Sequence, residues 1–431
     1  MPSKNTISRY LFSALTLCTA IYAWFVPETI RHTTYLISCG MVWATILQIY
    51  TELLFALCSS RSTYVPCHST RKAYAIIAAL LPNEQNIVFD ILAHYDLIEY
   101  SNLTVILAYN SPYDMELMGR LNTYTMKHHT FIPIRIMNSH SKAENLNHVL
   151  ANYIHEHDAI IGLFDCDHKP CINAFDKAAY RLYTRGYDFV QGKCRVRNNK
   201  ENALTKFLMF DFEIIYSIFH RSRVATWGYA IFGGSNGYWR SDVIKKYMFD
   251  GSMLTEDIDL TVRALLDGRI GYYDDTIVST ELAPLTIASL MSQRLRWAQG
   301  WAQVSIKYLI PTIASKHISL RTRIGLLCTF SMRELFPYFN LLVTPLTMVY
   351  LYRGGMVSIF GICTSCITLL AYPSMYVGLW RTSPDSFRDN HKTMVRMLFM
   401  GLAYSLFTTR ISIIAHMRNL ISFDLWEVTR R

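Results

Sequence analysis

Three carboxylates crowd the stretch LTEDIDL (254–260), where Glu256, Asp257 and Asp259 fall within four consecutive positions. Like charges this close repel one another, so the stretch reads as a solvated acidic turn, a metal site or the base of an enzyme. A second acidic pair, Asp165 and Asp167, flanks Cys166. Carboxylates at i and i+2 of a turn can both reach one hard cation such as Mg2+ or Mn2+, although capping and surface roles compete. In QRLRW (293–297), Gln293, Arg296 and Trp297 share one face if the segment is helical. The arginine can hold phosphate oxygens, and the indole offers a flat apolar surface to a sugar ring. An amphipathic helix on a membrane surface is the competing reading, and the following AQGWAQV suits it. In FGGSNGYWR (232–240), Gly234 and its neighbouring glycines permit close backbone approach. Ser235 and Asn236 can bond hydroxyl groups there, as they could in an ordinary loop. Lys142, in SKAENLN (141–147), is either a solvated lysine or a cation turned toward a ligand.

The elements that must position these residues lie between about 73 and 305. YAIIAALLP (74–82), LTVILAYN (103–110) and AIIGLFDCD (159–167) are short apolar runs ending in turn residues. They read as buried parallel strands, with a helix at 86–98 between the first two. Ligands in such sheets sit beyond the carboxyl ends of the strands. The ends Pro82-Asn83-Glu84, Asn110 and Asp165-Cys166-Asp167 are therefore expected to converge.

The flanks have a different texture. The 431 residues are 51% hydrophobic and 17% charged, with mean hydropathy +0.16, which is too apolar for an ordinary soluble chain. Residues 10–26 carry no charge and have about the length of a bilayer core. A second apolar run follows at 34–58, and no small-residue cleavage site intervenes, which argues against a signal peptide. Lys4 and Arg9 precede this hairpin and Arg61, Arg71 and Lys72 follow it, placing both its ends inside. Residues 336–352 and 356–380 read as a second hairpin, with Arg353, Gly354 and Gly355 at its outer turn and Arg381, Arg388 and Lys392 inside. The run at 394–421, interrupted by Arg410 and His416, crosses, re-enters or lies in the interface. Four crossings are expected. The formal charge of +10 lies largely beside these runs, and no dense Lys/Arg stripe interleaved with aromatics exists, so nucleic acid is not an expected partner. Ten cysteines are scattered, with paired spacing only at Cys363 and Cys366 inside an apolar run, where membrane packing is the simpler reading.

Taken in order, PNE, SKAENLN, DCDH, GGSNG, LTEDIDL and QRLRW resemble the motifs of membrane-integrated, inverting family 2 glycosyltransferases, the broad group that includes cellulose, chitin and hyaluronan synthases. The resemblance implies an α/β GT-A domain at 73–305, inserted between an N-terminal transmembrane hairpin (1–72) and interfacial and transmembrane helices (306–431). The terminal WEVTRR (426–431) is similar to the ending of several such synthases. The implied donor is a nucleotide sugar, usually UDP-linked. Glu84 would lie near the uridine, with Lys142 and Asp165 in the nucleotide pocket. Asp167, with Asp165, would hold the Mg2+ or Mn2+ that bridges the diphosphate, and Arg296 would add a second positive group. Gln293, Trp297, Gly234, Ser235, Asn236 and Glu256 fall on the acceptor side. Asp257 is the implied base, ionised at neutral pH on its ordinary pKa of about 4, and Asp259 is structural. Family members commonly carry an aspartate against the uracil at the end of the second strand. Asn110 stands there instead, and its amide can bond a base edge.

The leading expectation is a processive synthase that elongates a β-linked glycan and passes it through its own membrane segments. The alternative adds a single sugar to a lipid, since four crossings are few for a secretion channel. A catalytically dead binder is the third reading, against which the joint presence of Asp165, Asp167, Asp257, Arg296 and Trp297 argues. Expected partners are the nucleotide sugar, a glycan or glycolipid acceptor and membrane lipids. The expected location is a multi-pass (plasma) membrane protein with its catalytic domain in the cytosol.

Overall fold

The computed structural model describes residues 4–60, 62–353 and 357–421. Arg61, the Gly354-Gly355 part of the proposed outer turn, the Lys392 side chain and WEVTRR lie outside the described residues. Eight strands form one sheet: β1 (Ala73–Leu80), β2 (Leu103–Asn110), β3 (Thr130–Arg135), β4 (Ile160–Asp165), β5 (Lys169–Pro170), β6 (Phe189–Val196), β7 (Gly237–Arg240) and β8 (Gly271–Glu281). Their order is β3-β2-β1-β4-β7-β6-β8-β5. The three apolar runs expected as strands are β1, β2 and β4, all parallel, and the helix between the first two spans Val88–Tyr95.

Both faces of these strands are covered, which is why they read as continuous apolar runs and not as alternating ones. Ile76, Ile106 and Ile161 face one core with Leu146 and Phe232. Ile77, Val105 and Leu107 face the other with Leu92, Phe164 and Phe175. Each such side chain contributes about 2 kcal/mol by leaving water. Register brings the strand ends together, because Leu80 pairs with Asn110 and Ala78 with Asp165. The antiparallel β7 then meets β4 with Gly237 opposite Leu163, which carries Ser235 to the end of β4.

The long helices Lys4–Phe25, Glu28–Cys58, Leu320–Arg353, Val357–Thr382 and Pro384–Leu420 flank the sheet domain in the sequence and pack chiefly on one another. Among the described residues, three segments are long and apolar enough to cross a membrane: Glu28–Cys58, Leu320–Arg353 and Ile359–Thr382. Lys4–Phe25, the first expected crossing, carries Arg9 and is not among these three. The ambiguous run at 394–421 belongs to the single helix Pro384–Leu420. The expected boundary at 305 falls inside the helix Ile287–Ala314, which joins the sheet domain to the apolar helices. Helix Ala203–Ile214 continues into wider π-type turns at Ile215–His220 and Arg223–Trp227, which face those apolar helices. All ten cysteines are free thiols.

Candidate active site

Ser141 caps the helix Lys142–Asn152 by accepting the Glu144 amide at 3.2 Å, while Glu144 accepts the His140 amide at 2.6 Å. This reciprocal cap fixes Lys142 on the first turn. Its Nζ donates to Asp165 Oδ1 and to the Gly234 carbonyl, both at 2.6 Å. Burial disfavours the ammonium, but Asp165 and Glu256 outweigh it, and the Lys142 pKa is raised. Asp165 in turn donates its amide to Ser235 Oγ at 3.1 Å. One lysine thus ties the end of β4 to the glycine loop before β7.

Asp167 is buried, and its Oδ2 accepts the Leu282 amide at 2.9 Å. His168 follows it into the core, bonded to Glu281 Oε2 at 2.7 Å and to Ser279 Oγ at 3.1 Å. Ligand atoms of Asp165, Asp167 and His168 lie within 4.8 Å of one another, as do those of His168, Cys194 and Glu281. Two carboxylates and an imidazole are a donor set suited to Mn2+ or Mg2+, so the residues present fit a divalent cation.

LTEDIDL divides. Asp259 is fully buried and spent on Arg263 Nε at 2.7 Å, Lys307 Nζ at 2.8 Å and the Tyr308 hydroxyl at 2.7 Å. Asp259 stands in the first turn of the helix Glu256–Leu266, and these bonds tie that helix to Ile287–Ala314. Glu256 and Asp257 open that helix and face the cavity. Burial first, and then the charge of Glu256, pushes the Asp257 carboxyl up to about 7 against the pull of Lys142. Glu256 is also raised, by burial. Burial and Glu256 thus move Asp257 well above the ordinary carboxylate pKa on which its ionisation was expected.

A cavity of ≈ 190 Å³ gathers Glu84, Asn110, Lys142, Asp165, Asp167, Gly234, Ser235, Glu256, Asp257, Gln293, Arg296 and Trp297. The three strand ends converge there. Two residues differ from expectation in detail. Asn236 is fully buried outside the cavity, with its amide donating to the Lys193 and Ile277 carbonyls and its oxygen accepting from Tyr238. It builds the sheet and does not meet hydroxyl groups in the cavity. Asn110 lines the cavity, but its side chain already bonds the Ser139 carbonyl and Asn145. By contrast, Gln293 Oε1 and Arg296 Nε have no hydrogen-bond partner among the described residues.

A second cavity, of ≈ 490 Å³, shares Gly233, Thr255, Asp257 and Trp297 with the first. It extends among the apolar helices, where Gln48, Glu52, Arg333 and Tyr404 line it. Asp257 stands at the junction of the two.

Four contributors were not legible in the motifs. His168 and Glu281 extend the metal-type cluster, and the histidine of DCDH was the available signal. Gln191 donates to the Ser235 carbonyl at 3.0 Å and accepts the Gly233 amide at 2.8 Å, holding the glycine loop from beneath. Its signal was a lone amide in the apolar strand FVQGKC. Gly300 lets the helix Ile287–Ala314 touch the acidic loop, since a Cβ there would stand 2.5 Å from Thr255 Cγ2.

Comparison with known proteins gives the same outline. A family described as "Glycosyl transferase family group 2" matches residues 160–407. A probable glucomannan 4-beta-mannosyltransferase 7 of Oryza sativa subsp. japonica is 28% identical over 173 residues, 39% of this chain and 29% of the relative. A poly-beta-1,6-N-acetyl-D-glucosamine synthase of Staphylococcus epidermidis is 30% identical over 132 residues, 30% of this chain and 32% of the relative. The aligned segments span about a third of these curated relatives. Among solved structures, a mannosyltransferase from Pyrobaculum calidifontis in complex with GDP-Man and Mn2+ superposes with a TM-score of 0.64 at 14% identity, over 91% of this chain and 100% of that one. At that identity the likeness establishes the fold.

Proposed function

The chain belongs to the glycosyl transferase family group 2, and from that premise we propose that it catalyses inverting, metal-dependent transfer from a nucleotide sugar to a growing β-linked glycan at the membrane. It is a glycosyltransferase. The observation that carries the reading is the place of Asp257, between a cavity bearing a metal-type cluster with Lys142 and Arg296 and a second cavity that runs among the apolar helices.

In this mechanism the donor diphosphate lies beside Asp165 and Asp167, and Arg296, whose Nε has no partner among the described residues, faces it. Asp165 and Asp167, with His168 beside them, would hold a divalent cation, which would supply Lewis-acid stabilisation to the leaving diphosphate. Lys142 neutralises Asp165 and holds the Gly234 carbonyl in place. The acceptor hydroxyl enters from the second cavity and attacks the anomeric carbon on the face opposite the diphosphate. Its proton passes to Asp257, the new carbon–oxygen bond forms, and the bond to the nucleoside diphosphate breaks with inversion. A base with a pKa near the working pH suits this role. Trp297 lines both cavities and sits where the acceptor sugar must pass.

The donor is read as a UDP-sugar. GDP-mannose is the second donor to compare, because Asn110 replaces the expected uracil-contacting aspartate and is held by Ser139 and Asn145. The catalytic domain is assigned to the cytosolic side, beside the basic residues that flank the apolar helices. Incubation of the membrane protein with a panel of UDP- and GDP-sugars plus Mg2+ or Mn2+, with Asp257→Asn as blank, tests the reading. A β-linked polymer from one donor supports it, a lipid bearing one sugar selects the single-transfer alternative, and no transfer from any donor sinks both.

A further inference from the structure

The second cavity is not lined as a passage for a neutral sugar chain alone. Three guanidiniums from three different elements reach it: Arg223 from a wide-turn segment, Arg294 from the helix Ile287–Ala314, and Arg333 from the apolar helix Leu320–Arg353. Arg223 and Arg294 lie within electrostatic reach of Arg333. Like charges gathered at one wall cost free energy.

One of the three is neutralised: Arg294 pairs with Asp211 at 2.6 Å and lies over Trp297 at 4.5 Å. The other two are less well matched. Arg333 lies over Trp301 at 4.7 Å, and its nearest carboxylate, Glu334 at 3.9 Å, is already engaged by His416 and Ser305. Glu52 faces the same cavity and is held by Gln48 at 3.1 Å. Buried polar atoms without partners among the described residues also border the space: Arg223 Nε, Gln48 Oε1 and His220 Nδ1, the last on a side chain only 6% exposed. Buried polar atoms are normally satisfied, so this set points to a polar occupant.

We infer that the second cavity binds an acceptor carrying a phosphate close to its attacking hydroxyl, held by Arg223 and Arg333 beside Asp257, with Arg294, paired to Asp211, on the same wall. Guanidinium is the group best matched to phosphate oxygens, and a neutral hydroxyl acceptor gives no reason for two further guanidiniums there. The phosphate belongs either to a phospholipid headgroup or to a phosphorylated glycan. This inference rests on the transferase reading for the identity of the site as an acceptor site, while its test rests on binding.

The test uses the full chain in phosphate-free dodecyl maltoside micelles and two matched probe pairs. One pair is dioleoyl phosphatidylglycerol against dioleoylglycerol, each added to those micelles. The other is mannohexaose with and without a 6-phosphate. The phosphate-bearing member of one pair is expected to bind about tenfold or more tightly than its twin, from the strength of charge-assisted bonds, and the pair that shows the difference identifies the source. Arg223→Gln and Arg333→Gln should bring the ratio toward one, and Arg333→Lys should restore part of it. Equal binding within both pairs by the wild-type protein would overturn the inference, whether or not the variants fold. An unchanged ratio in folded Arg223→Gln and Arg333→Gln would do so too. Sugar transfer to neutral mannohexaose without phosphate preference would retain the transferase reading alone. Phosphate preference without transfer from any donor would retain the anion site alone.

Discussion

Gly234 and Asp257 are in contact: a Cβ built on Gly234 would stand 2.7 Å from Asp257 Oδ2, and the Gly234 backbone sits at φ +87°. Both facts exclude a side chain there. Gly234→Ala is expected to lower kcat about a hundredfold, the usual cost of a displacement near 1 Å at a reacting centre, while nucleotide affinity changes less than about threefold. Steady-state kinetics beside a nucleotide titration checks this. A variant with near wild-type kcat would mean that Asp257 can move freely.

The raised Asp257 pKa gives a pH signature. In the proposed mechanism transfer requires the Asp257 carboxylate, and with its pKa pushed up to about 7 that form is lost as pH falls through that value. The kcat/KM profile, which reports the free enzyme, should therefore rise with an apparent pKa near 7. A bound cation favours the charged carboxylate, so the limb in kcat should lie at lower pH. A flat kcat/KM profile between pH 5 and 8 would contradict this account of the base.

Removal of Asp167 should be read through the metal. Asp167→Ala is expected to raise the Mn2+ or Mg2+ concentration for half-maximal nucleotide binding by about tenfold or more, in the range seen for losses around metal sites. His168→Ala should act in the same direction, since its imidazole belongs to the same cluster. A metal titration unchanged in both variants would remove the cation from this site.

The helix that carries Arg296 and Trp297 is seated by Gly300. A Cβ there would lie 2.5 Å from Thr255 Cγ2 and 2.8 Å from the Thr255 backbone nitrogen. Gly300→Val is expected to destabilise the protein by about 1–3 kcal/mol through overpacking, and to raise KM for the acceptor as the QRLRW face is pushed from the acidic loop. Thermal melting together with acceptor kinetics measures both. Unaltered melting and KM would show that the helix can shift at no cost.

Much of this site was legible because its residues end strands that the apolar pattern already marks. LTVILAYN ends at Asn110 and AIIGLFDCD at Asp165, and parallel pairing brought both beside Glu84 without further information. The division of LTEDIDL was only partly legible. Two partners of the buried Asp259, Lys307 and Tyr308, lie on a different helix about 50 residues away, and no local pattern announces such a contact. The state of Asp257 depended on burial, which spacing does not report. Asn236 has the same hydroxyl-bonding chemistry as Ser235, but it stands just before β7 with φ +52°, and its side chain turns into the sheet. The arginines of the second cavity stood in three separate segments, and only packing brings them together.

The central claim is that Asp257 is the base of a transferase that this cavity builds. The most direct measurement is single-turnover transfer by Asp257→Asn, with nucleotide-sugar affinity determined on the same preparation. The amide keeps the shape and cannot accept the proton, so transfer should fall by at least about a thousandfold while donor affinity remains within about threefold. Transfer by a folded Asp257→Asn at the wild-type rate would contradict the account.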